Sequence, residues 1–384
     1  IRLGKEYDRD KHIKTNLDMY QLSKLVKPLE ELQDMIGMES VKKQMFELCV
    51  YHLQGLVECN GKPTGLYHTS IMGESGLGKT EVAGIICRIY HAIGVLKSPE
   101  PIIADKNNFE GEYLGKTSAK VAKLVKKARE EGRALITDEA YMILDRNKKN
   151  AYGEEAIAYM VKEMGTKDKE GRDNGGGFVW FTMGYEKAMK ETFFGANAGL
   201  SRRFQYKLII EEPSGEQLSA IFLRTCRKQG WKCCIEKNVL DELFTSHRDY
   251  MPHHGGSVLN LITHCKHAHS KRLLAIRTLE ELEATKKIIN LDDLKAGIEA
   301  FGKNVAANFL RCLTRQNWEC DVDEVTLNTL FEVEFTDPTN DISKHNHDTS
   351  TNAENNDEII SDNMDTDEEE TDDSKYYLHT GDHI

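Results

Sequence analysis

Short apolar runs alternate with longer amphipathic segments along the first half of the chain. Apolar residues in the amphipathic segments recur three and four positions apart, as Val82, Ile85 and Ile89 do after the first run. The runs predict β-strands and the amphipathic spacing predicts helices. Because strands that alternate with helices form a parallel sheet with helices on both faces, the pattern predicts an α/β domain. The predicted strands are 68–72, 101–104, 134–137, 178–183 and 206–210.

The pattern changes after Pro213, where only helical spacing remains and predicts a small second domain. Beyond Phe335 the chain is rich in Asp, Glu, Asn, Ser and Thr. Such a segment cannot bury enough apolar surface to offset the entropy of ordering, so we expect a disordered tail. The expected organisation is a polar linker or truncated N-terminal region (1–33), an α/β domain (34–212), a helical domain (213–303), a short helical extension (304–335) and an acidic tail (336–384).

The negative charge of the chain is concentrated in this tail. The 384 residues carry a net charge of −12. Residues 337–384 contain 15 Asp and Glu and 2 Lys, a charge of −13, so the preceding 336 residues sum to −12 − (−13) = +1. A nearly neutral folded part followed by an acidic tail disfavours nucleic acid as a partner.

Cysteine usage and hydropathy indicate an intracellular, cytoplasmic protein. The nine cysteines form no C-x-x-C pair, which is typical of reduced thiols in a long chain. His264 and His267 are three residues apart and could share a helix face, but paired cysteine ligands at the spacing of structural zinc sites are absent, so a helix surface is favoured over a metal site. No apolar run approaches the roughly 18–20 residues of a membrane span, and no signal-peptide pattern is present.

One stretch carries the clearest chemistry. It fits G-x-x-x-x-G-K-[ST] and lies between the first predicted strand and an amphipathic helix, which is the context that a phosphate-binding loop requires. Backbone N–H groups of such a loop and the positive end of the following helix bind the phosphates. Lys79 is expected to reach the β- and γ-phosphates of ATP, and the Thr80 hydroxyl is expected to hold Mg²⁺. The nucleotide-binding residues are Gly73, Glu74, Ser75, Gly76, Leu77, Gly78, Lys79 and Thr80.

Two further groups fit a nucleoside triphosphatase. The strand 134–137 ends in Asp138 and Glu139, which are suited to completing the Mg²⁺ shell and to activating water, respectively. Arg202 and Arg203 precede the last predicted strand, where an arginine could serve the γ-phosphate of a neighbouring subunit or could simply pair with surface carboxylates. Lys79 and Glu139 are therefore expected catalytic residues, and one of these two arginines could join them.

Residues from about 29 to 275 resemble the CbbX/CfxQ group of AAA+ ATPases, which also contains the SpoVK-like sporulation proteins. Six motifs in order carry the resemblance, and they cover nearly two thirds of the chain. They are the sequences at 35–42 (MIGMESVK), 73–80 (GESGLGKT), 111–117 (GEYLGKT), 138–141 (DEAY), 183–185 (MGY) and 199–204 (GLSRRF).

The resemblance implies a P-loop NTPase fold of AAA+ type with a helical lid, and a ring, usually a hexamer, with ATP between subunits. It also implies that Tyr113, Leu114 and Gly115 form a pore loop that grips a protein substrate. Arg203 matches the arginine finger, with Arg202 as the alternative. Tyr185 matches a nucleotide sensor, with Thr182 as the alternative.

The sequence departs from the family pattern at one place. The family carries an arginine that senses the γ-phosphate at the start of a lid helix, and this chain has Gly256 there. We hypothesise that His254 or Arg224 substitutes for it, or that lid closure is weakly coupled to hydrolysis.

The function expected from these residues is an ATP-hydrolysing protein remodeller that uses ATP and Mg²⁺ and pulls on a protein substrate. Two alternatives remain open. One is a nucleotide-gated scaffold with little turnover, which the missing lid arginine favours and which the presence of both Asp138 and Glu139 disfavours. The other is a nucleic-acid-associated AAA+ machine, which the charge distribution disfavours.

Overall fold

The computed structural model describes residues 1–9, 15–56, 58–59, 62–63, 65–111, 116–144, 151–165 and 177–315. The chain divides into two units, and all of these residues belong to the first, Ile1–Trp318. The predicted acidic tail lies outside the described residues.

Three helices precede the sheet: α1 (Arg2–Arg9), α2 (Met19–Gln33) and α3 (Glu39–Leu53). Asp18 begins α2 because its carboxylate accepts a hydrogen bond from the Gln21 amide at 2.9 Å. The buried side chains of α2 and α3 belong to the same core as one face of the central sheet. A two-stranded antiparallel pair, β1 (Glu58–Cys59) and β2 (Lys62–Pro63), follows.

The central sheet has five strands, all parallel, in the order β4-β5-β6-β3-β7. Strands β3, β5 and β6 are buried along their whole length, as expected for a parallel sheet covered on both faces. The strands are β3 (Thr69–Met72), β4 (Ile102–Ala104), β5 (Ala134–Thr137), β6 (Val179–Gly184) and β7 (Tyr206–Ile209).

Helices cover the sheet on both faces, which confirms the predicted architecture. One core contains Ile71, Ile86 and Phe181, and the opposite core contains Phe109, Trp180 and Phe193. The helices are α4 (Lys79–Ala92), α5 (Lys116–Glu131), α6 (Ala151–Met164), α7 (Glu186–Ala188) and α8 (Ala198–Arg203). A π-helical turn (Met189–Phe193) and two 3-10 turns (Lys106–Phe109 and Ala140–Ile143) complete this region.

The C-terminal region, here called the lid, is helical as predicted and has its own core around Phe222, Phe244 and Leu261. A partly buried ion pair between Arg272 and Asp293, at 2.9 Å, ties two of its helices together. Its elements are α9 (Gly215–Lys228), β8 (Lys232–Cys233), α10 (Lys237–Ser246), a 3-10 turn (Arg248–Tyr250), α11 (His254–Leu273), α12 (Leu279–Thr285), β9 (Ile288–Ile289) and α13 (Leu291–Arg315). The short strands β8 and β9 pair in parallel, which the sequence pattern did not predict.

Candidate functional site

The phosphate-binding loop connects β3 to α4, as the motif predicts. Gly76 (φ +76°) and Gly78 (φ +79°) lie in the left-handed region that favours glycine, and Gly78 immediately precedes α4. A Cβ atom on Gly73 would lie 2.9 Å from the Ile210 carbonyl oxygen, so only glycine fits between the loop and the end of β7. These glycines bend the backbone into a concave loop at the N-terminus of α4, which fits a triphosphate.

Lys79 is buried and held by the loop itself. Its Nζ donates to the carbonyl oxygens of Gly73 at 3.0 Å and Glu74 at 2.9 Å. The same atom lies 5.3 Å from the ring centroid of Tyr185, within cation–π range. An ammonium group has three protons, so one donor remains for a phosphate oxygen. The neighbouring Thr80 is exposed on the first turn of α4, where its hydroxyl could hold Mg²⁺.

The predicted acidic pair lies at the same edge of the sheet. Strands β5, β6 and β3 are neighbours, so their carboxyl ends meet there. The Gly73 amide donates to the Gly184 carbonyl at 3.2 Å, which joins the loop to the end of β6. Asp138 is exposed at the end of β5 and its Oδ1 accepts from the Glu139 amide at 3.0 Å. The structure thus brings together the loop, Asp138 and Glu139.

Glu139 has unusual geometry for a glutamate. Its backbone is left-handed (φ +47°). Its Oε2 is buried and has no hydrogen-bond partner among the residues that the structure describes. A buried carboxylate oxygen without a protein partner is costly and fits a site that takes up water or a metal-bound ligand. The donor set of Lys79, Thr80, Asp138 and Glu139 therefore fits ATP with Mg²⁺.

Tyr141, to which the sequence motifs assign no role, lies beside the site. Burial, followed by the Glu139 side chain, raises the pKa of its phenol. The rings of Tyr141 and Tyr185 lie 6.1 Å apart. The signal that could have revealed Tyr141 is its position two residues after Glu139, in a 3-10 turn that leads the chain back along the strand ends.

The start of the lid helix α11 touches the phosphate-binding loop. A Cβ atom on Gly76 would lie 2.0 Å from the His253 carbonyl oxygen, and one on Gly255 would lie 2.9 Å from the Gly76 carbonyl oxygen. Glycine on both sides lets the two backbones approach this closely. A Cβ atom on Gly256 would meet Gly76 Cα at an ordinary 3.7 Å.

Of the two residues that we hypothesise to substitute for the lid arginine, His254 directly follows the residue that makes this contact, and Arg224 lies beside the first turn of α4. His254 is 8% exposed, and its Nδ1 has no partner in the described part of the chain. Burial lowers the pKa of His254, against the opposing effect of Glu212 and a smaller one of Glu74 in the loop. Arg224 on α9 lies 3.9 Å from a carboxylate oxygen of Glu81, which follows Thr80, and its Nη1 lies 3.6 Å from the Met35 sulfur.

Of the remaining predicted residues, Tyr185 contacts the loop lysine, and the others have no described contact with the loop or lie outside the described residues. Arg203 donates from Nη1 to the Gly199 carbonyl at 2.9 Å, and its Nε is buried without a partner in the described ranges. Arg202 beside it is exposed. Thr182 is fully buried within β6, whereas Tyr185, after that strand, contacts Lys79. Tyr113, Leu114 and Gly115, the predicted pore loop, fall outside the described residues.

Over the ranges that the structure covers, no helix combines the length and the apolar character that crossing a membrane would need.

Comparison with known proteins identifies the family. Residues 70–198 match the model of the ATPase family associated with various cellular activities (AAA). A cfxQ-like protein of Acanthamoeba polyphaga mimivirus is 29% identical over 290 residues, which are 75% of this chain and 68% of that protein. Stage V sporulation protein K of Bacillus subtilis is 30% identical over 65% of this chain and 77% of its own length. Protein CbbX of Cereibacter sphaeroides is 27% identical over 67% of this chain and 84% of its own length.

The family-model match contains the phosphate-binding loop, Asp138 and Glu139. The named relatives agree with the resemblance that the sequence motifs indicate. The chain belongs to the CbbX/CfxQ type of AAA+ ATPases.

Proposed function

We propose that this ATPase works as a ring of identical subunits, a hexamer by analogy with its family, and couples ATP hydrolysis to pulling on a protein substrate. The observation that carries the proposal is the convergence of Lys79 in its glycine cradle and Glu139, with its unpartnered carboxylate oxygen, at one edge of the sheet.

Each residue has a part in hydrolysis. The loop amides and Lys79 bind the β- and γ-phosphates, and Tyr185 packs against the Lys79 ammonium and fixes its direction. Mg²⁺ held by Thr80 and Asp138 would neutralise charge that develops on the phosphates. Glu139 orients a water molecule and accepts its proton as the water attacks the γ-phosphorus.

Arg203 is proposed to act on the neighbouring subunit. It ends α8, and its described contacts are with Gly199 and Gly165 of its own chain. An arginine at a subunit boundary can stabilise the transition state of the next subunit, a contribution of about 10³–10⁵ in kcat. Tyr113 in the proposed pore loop would grip the substrate polypeptide.

The decisive experiment measures ATP turnover per subunit against protein concentration. Wild type should show a cooperative rise as rings form, and Arg203→Ala should lose it. Arg202→Ala removes the same charge and tests the alternative finger. Glu139→Gln should bind ATP normally and lose about 10²–10⁴ in kcat. Full turnover by a monomer, or by both Arg203→Ala and Arg202→Ala, would contradict the shared site.

The absence of an arginine at Gly256 favours a second candidate, a nucleotide-gated scaffold. In that case ATP would drive assembly with little hydrolysis. The same assay separates the two candidates. A scaffold would form rings with ATP both as wild type and as Glu139→Gln. It would show no ATP turnover in wild type, so the substitution would have no turnover to abolish.

A further inference from the structure

We propose that Arg224 on the lid helix α9 binds a phosphate of ATP and that Glu81 competes with ATP for it, so that the lid responds to nucleotide by an exchange of ion partners. This inference rests on the ATP site of the proposed function. Arg224 thereby takes the part that the family gives to an arginine at the position of Gly256.

One face of α9 packs against the domain that carries the phosphate-binding loop. Gln217, Arg224 and Lys228 are spaced seven and four residues apart, so they share a helix face. A Cβ atom on Gly37 would lie 3.3 Å from Gln217 Nε2. Farther along α9, Arg224 Nη2 lies 3.9 Å and Lys228 Nζ lies 3.6 Å from Oε1 of Glu81. The lid therefore places two cations beside the first turn of α4.

Glu81 has more positive charge beside it than one carboxylate neutralises. Arg224 and Lys228 both approach the same oxygen, which leaves one positive charge in excess among these three side chains. Glu81 directly follows Thr80 in the first turn of α4, and the N-terminus of such a helix binds phosphate. The excess charge thus lies next to an anion site, and Lys228 can keep Glu81 paired when Arg224 leaves it.

Arg224 is the cation that lies nearer to the loop. Its Nη1 lies 3.6 Å from the Met35 sulfur, and Met35 Cε would lie 3.5 Å from a Cβ atom on Gly78, the last residue before α4. The Arg224 side chain is 27% exposed, so a ligand can reach it. An exposed ion pair as long as 3.9 Å holds the guanidinium weakly. A phosphate, which accepts from both arms of a guanidinium, binds it more strongly.

His254, the other candidate for this role, is enclosed by the protein. It is 8% exposed, and solvent does not reach its Nδ1. A phosphate could bond to that nitrogen only after the start of α11 had opened, whereas the Arg224 side chain is accessible in its present position.

The test measures Kd for ATP in variants of the two competing partners. Glu81→Gln releases Arg224, so ATP should bind about fivefold more tightly than to wild type. Arg224→Gln removes the phosphate partner, so ATP should bind about tenfold more weakly. If the ion pair only held the lid in place, both substitutions would break it and would shift Kd in the same direction. Opposite directions support the exchange, and equal directions would overturn it.

A double variant separates the exchange from simple repulsion between Glu81 and ATP. Repulsion acts whether or not Arg224 is present, so it predicts the same gain from Glu81→Gln in both backgrounds. If Arg224 exchanges partners, Glu81→Gln should change Kd by less than about twofold in the Arg224→Gln background. Equal gains in the two backgrounds would overturn the inference.

Two matched substitutions control for the loss of one charge. Arg227→Gln removes the same charge from an exposed position on α9. Glu299→Gln removes a lid carboxylate that is 55% exposed, against 51% for Glu81, and that pairs with Lys303 at 2.7 Å. Kd for ATP should stay within about twofold of wild type in both controls. Shifts as large as those of Arg224→Gln and Glu81→Gln would show a general charge effect and would overturn the inference.

ATP binding is measured without turnover or ring assembly, which keeps this inference separable from the proposed function. If wild type bound ATP and the variants shifted Kd as expected, but the protein neither assembled nor hydrolysed ATP, only the proposed function would be overturned. If wild type showed cooperative turnover while Glu81→Gln and Arg224→Gln left Kd unchanged, only this inference would be overturned.

Discussion

The contact between the lid and the phosphate-binding loop can be tested by adding one methyl group at Gly76. Its Cβ would lie 2.0 Å from the His253 carbonyl oxygen. Because side-chain carbons are essentially never found within 3.0 Å of such an atom, Gly76→Ala forces the loop and the start of α11 apart by about 1 Å.

A matched variant isolates the cost of this separation. Gly94 has nearly the same backbone angle (φ +81° against +76°), but a methyl group added there would meet no atom within 4 Å. Gly94→Ala therefore carries the backbone strain of a left-handed alanine, about 1–2 kcal/mol, and the change in unfolded-state entropy. Both contributions cancel in the comparison, which leaves about 1–3 kcal/mol for overpacking at Gly76.

The assay is urea unfolding of both variants and wild type without nucleotide. We expect the free energy of unfolding of Gly76→Ala to lie about 1–3 kcal/mol below that of Gly94→Ala. If the two variants were equally stable, the lid helix would not rest on the loop in solution, and the reasoning about His253, Gly255 and Gly256 would fail.

Two other predictions concern single side chains. Burial lowers the pKa of His52 to about 4 from an ordinary 6.5. As the pH falls, the unfolded chain therefore takes up a proton at this residue before the folded chain does. The free energy of unfolding of wild type should fall by about 2 kcal/mol from this residue between pH 8 and pH 5. His52→Gln should remove that part of the pH dependence in urea unfolding, and an unchanged slope would show that His52 is not buried as described. Gly256→Arg should be accommodated, because a Cβ atom there would meet its neighbours at an ordinary 3.7 Å. The added positive charge beside the phosphate-binding loop should lower KM for ATP about fivefold or more. Unchanged turnover and affinity would mean that the glycine there causes no deficit.

The sheet and the phosphate-binding loop were predictable because both leave a local signal. A buried parallel strand is a short apolar run, and the structure has strands at Ile102–Ala104 and Tyr206–Ile209, within about two residues of the predicted limits. The loop motif fixes glycines and a lysine at set spacing for reasons of backbone geometry alone. Asp138 and Glu139 then follow from the rule that ligands bind at the carboxyl ends of parallel strands.

Other features depend on contacts between distant residues, which leave no local signal. The approach of His253 to Gly76 joins two segments that are far apart in sequence, and only the packed lid reveals it. The pair β8 and β9 is too short for a periodic pattern. The frequent charged residues of 1–33 predict a polar linker, yet Leu22, Leu25 and Leu32 follow helical spacing within α2 and are buried.

Lys79 is held by two carbonyl oxygens of its own loop, and this has a consequence for which cations could replace it. Two of the three N–H donors of the ammonium bond to backbone carbonyl oxygens, and the third remains for another acceptor. A planar guanidinium on a longer side chain cannot donate to the same two carbonyl oxygens in the same geometry. Lys79→Arg would therefore keep the positive charge but change the direction of its hydrogen bonds. The two backbone contacts thus restrict the direction that is left for the third N–H bond of Lys79.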